Sequence, residues 1–176
     1  AESLGAHGEK IAEWVKREND TVIKLADVVR GDEPDSARRL LENQLAALES
    51  LPGDFRDPGR VVTAFRVSAH EDLAEIAASA GAREKALGHS EKAIVYANQL
   101  FEESGDVAFL DRFAGLHRSY GIRLKQAGRP EDALATFREA VAALEALPAT
   151  VRGAPWAVAL FDLHEQIRHL ADEQGD

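Results

Sequence analysis

Apolar residues recur along this chain at three- and four-residue steps, and no segment alternates with period two for long enough to argue a strand. After a weakly patterned lead-in over 1–8, Ile11, Val15, Val22, Leu25, Ala26 and Val29 share one side of a helix that stops at Gly31. Pro34 reopens a helix whose stripe is Ala37, Leu40, Leu41, Leu45, Leu48 and Leu51, and Pro52-Gly53 ends it. The loop to Arg60 holds Phe55, read as a plug over a helix pair. Val62, Phe65, Ala69, Leu73, Ile76 and Ala80 mark a third helix, ending at Gly81. Ala86, Ala93, Ala97, Leu100 and Phe101 mark a fourth, ending near Ser104-Gly105. Phe109, Phe113, Leu116, Tyr120 and Leu124 mark a fifth, ending at Gly128. Pro130 starts a sixth with Ala133, Phe137, Ala140, Val141 and Leu144, and Pro148 closes it. Trp156, Leu160, Leu163, Ile167 and Leu170 lie on the last. The pattern predicts an all-α fold of seven helices, each of roughly 18–24 residues, longer than the average helix.

Three of the turns look alike: GDEPDSA from Gly31, GAREKAL from Gly81 and GRPEDAL from Gly128. Those glycines stand 50 and 47 residues apart, and each is followed by a small residue, Ala37, Ala86 or Ala133. Ala93 and Ala140 come seven places later in the last two. Small residues on one face let a helix lie close to its neighbour, and repetition at this period predicts stacked helix pairs.

Gly121, Gly128, Ala133, Phe137 and Ala140 match the tetratricopeptide pattern in order and spacing, as do Leu73, Gly81, Ala86 and Ala93 in the pair before. The chain resembles that family over roughly 21–148. The middle pair departs from the pattern with Ala74 for the packing glycine and Ser90 for the aromatic. The first pair has its alanine one place late and Gln44 where the last alanine is expected. The resemblance implies one domain over 1–176, a right-handed α-solenoid of three helix-turn-helix pairs (about 9–52, 59–104 and 106–148) with a capping helix at 154–173. The family unit is about 34 residues. The excess here amounts to near two extra turns per helix. Such long repeats resemble those of bacterial regulatory proteins that carry a sensor module beside an ATPase or DNA-binding domain.

Composition narrows the function. With 45% hydrophobic and 30% charged residues the chain folds rather than staying disordered. A net charge of −10 disfavours direct contact with nucleic acid and with anionic membranes. It fits a cytoplasmic protein. There is no cysteine, so disulfides, thiolate metal sites and cysteine nucleophiles are excluded. There is no apolar run near membrane-spanning length, and Ala1 opens no charged-then-apolar stretch, so no secretory leader is expected there. Methionine is absent even from position 1, from which we expect a piece of a longer protein.

No constellation asks for an enzyme. His164 and His169 are five residues apart, where two helical metal ligands need four, and His70 has no second histidine in register. No catalytic residue, metal or cofactor is expected. The resemblance implies that a protein or peptide binds the concave face made by the first helix of each pair. Glu71, Asp72 and Glu75 are its candidates in the middle pair, with Arg66, Arg118 and Lys125 supplying opposite charge. Asp72 stands where a peptide-carboxylate clamp of the family would have asparagine. Three acids repel a carboxylate, so that clamp is not expected; the acids read as an ordinary solvated face or, functionally, as a groove for a basic or mixed-charge peptide. His117 is a further candidate for that face. Tyr120 and Trp156 are expected in the core, and Trp14 partly exposed. The expected function is a non-catalytic protein-interaction module; the alternative is a regulatory or sensor domain of a larger signalling protein.

Overall fold

A computed structural model describes residues 2–51, 57, 60–104 and 109–174, with side chains described from residue 13 onward except at 103, 104 and 174. Among them there are seven α-helices, a short 3-10 turn at Ala149–Val151 and no strand. They are α1 (Glu2–Arg30), α2 (Pro34–Glu49), α3 (Val61–Ser79), α4 (Arg83–Ser104), α5 (Leu110–Gln126), α6 (Pro130–Glu145) and α7 (Ala154–Gln174). The all-helical expectation holds over the described residues, but the expected lengths of roughly 18–24 residues do not: α2 and α6 have 16 residues and α5 has 17. α1 begins at Glu2 rather than after Gly8, and reaches 29 residues. Phe55 lies outside the described residues.

Two of the three look-alike turns share a geometry. Gly81 and Gly128 take the left-handed conformation, at φ +73° and +77°. After α3, Ala82 N–H donates to the Ala77 carbonyl and Gly81 N–H to that of Ala78. After α5, Arg129 N–H donates to Leu124 and Gly128 N–H to Lys125. These paired bonds satisfy carbonyls that a helix end leaves open, and a left-handed glycine is what lets them form. Gly31 is not in that region: there Glu33 N–H donates to the Val29 carbonyl at 2.7 Å. The first turn, one residue longer before its alanine, closes differently.

Asp57 starts α3 from the loop. Its carboxylate accepts from the Val62 and Thr63 amides at 2.9 Å each and from the Thr63 hydroxyl at 2.8 Å. An acceptor carrying negative charge satisfies orphan donors at the positive end of a helix.

Each helix packs on the next, and α1 also packs on α3 and α5 on α7. The core falls into three adjoining clusters. Val15, Leu41, Phe65 and Leu73 join α1, α2 and α3. Val67, Ala93, Ala97 and Leu116 join α3, α4 and α5. Phe113, Phe137, Leu144 and Leu163 join α4 through α7. Almost every stripe residue is buried or half-buried. Leu25 is an exception at 45% exposed, as is Ala80, which caps α3 in solvent. Trp14 is 62% exposed. Trp156 is half-buried and donates its indole N–H to the Leu144 carbonyl at 2.8 Å.

Candidate functional site

α1, α3 and α5 bring charged side chains together along one face. From α1, Arg30 donates to Asp72 at 3.1 Å and to Glu75 at 2.8 Å, and pairs with Asp27 at 3.3 Å. From α5, Arg112 donates to the Ser68 hydroxyl at 2.7 Å and approaches Glu71 at 3.5 Å. The three acids singled out in α3 therefore do stand together, each facing an arginine from a neighbouring helix. Those arginines are not the ones the sequence suggested. Arg30 and Asp72 are 42 residues apart, and Arg112 and Ser68 are 44 apart, close to one repeat. That separation, close to the spacing of the look-alike turns, is the one signal in the sequence that could have pointed to them.

Burial sets the electrostatics of this face. Asp72 is pushed from its ordinary 3.8 up to about 6 chiefly by desolvation. Arg30 pulls the other way, while Asp27, Glu71 and Glu75 add to the rise. Arg123, further along α5, is lowered from its ordinary value by burial, against the pull of Glu75 and Glu71. Its guanidinium donates to the Ser90 hydroxyl at 3.1 Å.

The other candidates are dispersed. Lys125 pairs with Glu173 of α7 at 2.6 Å. Arg118 is exposed. Arg66 turns to the far side of α3 and lies over the Tyr96 ring, 5.3 Å from its centroid. His117 is only 2% exposed, so it is part of the core. Its Nε2 bonds Asn98 Oδ1 at 3.2 Å, and its ring packs on Phe113. Burial pushes it down to about 4, with a smaller opposite pull from the Thr136 backbone.

Beside the ion pairs, a groove of about 460 Å³ opens between α1, α3 and α5. Ile23, Val61 and Phe65 give it apolar walls; Lys16, Lys24 and Arg112 bring positive charge and Asp20 one negative. Asn19 also lines it: the residue is 3% exposed, its Oδ1 accepts from Gln44 at 2.8 Å, and its Nδ2 has no partner. Lys16, Asn19 and Lys24 escaped the sequence reading because α1 matches the repeat pattern least. The groove is locally basic on an acidic chain. No described helix is long and apolar enough to cross a membrane. The chain matches no known family model, no curated protein and no solved structure.

Proposed function

We propose that the chain is a non-catalytic protein-interaction module, a tetratricopeptide-like right-handed solenoid that binds a peptide segment along α1, α3 and α5. The observation that carries this reading is the groove between those helices, where three cations and one acid surround apolar walls. Such a groove takes an extended segment with an acidic side chain set beside an apolar one. The carboxylate meets Lys16, Lys24 and Arg112, and the apolar group covers Ile23 and Phe65. Glu71, Asp72 and Glu75 position Arg112 and Arg30, and Glu75, the most exposed of the three, meets a basic residue further along a mixed-charge partner.

Acidic, basic and neutral peptides of equal apolar content, titrated by fluorescence anisotropy at two salt concentrations, test this. Acidic peptides should bind tightest, weaken with salt, and lose about tenfold or more in K16E/K24E, as screened charge pairs do. Equal, salt-insensitive binding of all three would overturn the reading.

A further inference from the structure

On the opposite side of α3 lies a second groove, of about 640 Å³, between α2, α3 and α4. His70 of α3 and His89 of α4 meet in it, Nδ1 to Nδ1 at 3.1 Å, with ring centroids 5.3 Å apart. The Tyr96 ring lies parallel to His70, within 1°, with centroids 5.8 Å apart, and the Arg66 guanidinium lies over Tyr96 in turn. The stack fixes the His70 ring plane. His70 is 7% exposed, whereas His89 is half-buried and open to the groove.

We propose that His70 and His89 form a binding site for a divalent transition-metal ion of the zinc and copper class, held by the two Nδ1 atoms with its remaining positions open. Two nitrogens bound to one tetrahedral ion at 2.0–2.1 Å stand about 3.3–3.4 Å apart. The observed 3.1 Å needs a small opening of the pair and a tilt of the two rings, which face each other nearly head-on, so that both lone pairs meet at the ion. Imidazole suits these ions and is the strongest donor type this chain owns, since it has neither cysteine nor methionine. Metals take the neutral ring.

In the free pair one Nδ1–H donates to the other Nδ1. Binding an ion moves that proton to Nε2 of the same ring through solvent, so no net proton is released. No third His, Cys, Asp or Glu closes on the pair among the described residues, which leaves water or a partner's ligand to complete the coordination. Glu42 and Glu49 of α2 line the groove and offset the charges of Arg66 and Lys92.

Calorimetric titration of the folded chain with Zn(II), and electron paramagnetic resonance with Cu(II), test the site. The expected result is one equivalent of Zn(II) and a Cu(II) spectrum with two nitrogen ligands. His89→Ala, on a half-buried ring, leaves the helical spectrum intact and should weaken binding about tenfold or more, the scale on which single contacts around a metal act. His164→Ala/His169→Ala should leave binding unchanged. Unchanged affinity in His89→Ala, or loss in the α7 double variant, would place the ion elsewhere and overturn the proposal, as would no binding at all.

Discussion

The α3–α4 and α5–α6 hairpins are built on one plan and filled with opposite materials. Their positions correspond at a separation of 47 residues, and both end their first helix in the same left-handed glycine turn. In α5–α6 the Phe137 ring presses on the backbone at Gly121, where a Cβ would stand 2.3 Å from the ring. In α3–α4 those two places hold Ala74 and Ser90, both buried. Arg123 reaches from α5 to bond the serine. His117 and Phe113 correspond to His70 and Arg66; in α5–α6 the imidazole sits among phenylalanines, in α3–α4 it meets a second imidazole. The backbone plan thus needs only helix length, turn and small-residue spacing. Whatever fills the interior is free to be an aromatic plug or a polar crosslink, and only the second leaves groups able to do chemistry.

The largest break in the comparison should come from the plug. Phe137→Ala should cost about 3–5 kcal/mol in urea unfolding, as buried aromatic truncations do. Ser90→Ala should cost on the order of 1 kcal/mol, because it removes one partly buried acceptor from Arg123. Equal losses would mean that the two interiors carry the same load.

Acid stability comes next. His70 and His117 both titrate near 4 in the folded chain. Unfolded histidines titrate near 6.5, so between about pH 6.5 and 4 the unfolded chain binds protons that the folded chain refuses. Their stabilisation is full above about 6.5 and is lost as pH falls toward 4. For the 2%-exposed His117 the effect is on the order of 2–3 kcal/mol. Asp72 runs the other way: its folded value is raised to about 6, so its contribution is present below about 4 and lost as pH rises through 6. Urea midpoints measured from pH 8 to 4.5 should fall with acid. The slope should flatten in His117→Asn and steepen in Asp72→Asn. An unchanged slope in His117→Asn would contradict the burial argument.

The smallest effect tests the correspondence itself. Ser90→Phe alone should destabilise, because its ring meets the Ala74 methyl. Ser90→Phe with Ala74→Gly should recover part of the loss, with a coupling of about 1 kcal/mol. Strict additivity would show that the two hairpins do not pack their helices alike.

Period and punctuation made much of this legible. The 3.6-residue stripes, Pro34 and Pro130 opening helices, and Gly81 and Gly128 closing them are local rules, so they were readable one segment at a time. Leu25 misled because the faces of α1 that pack on α2 and α3 are narrower than its apolar stripe, which leaves Leu25 and Val28 in solvent. The three acids of α3 were recognisable as a group, since 71, 72 and 75 fall on one helical face. Their arginines were not, because a guanidinium on a long stem chooses among several partners within reach.

The sequence by itself determined that this chain is helical, where most of its helices stop, and most of the apolar residues that hide, since those follow from short-range sterics and from the cost of exposing apolar surface. Only the tertiary structure decided which charges neutralise one another, that Lys16, Lys24 and Arg112 share a groove, and that His70 and His89 touch. Such encounters depend on the angle and offset between helices far apart in the chain, and those are set by the packing of the whole interior.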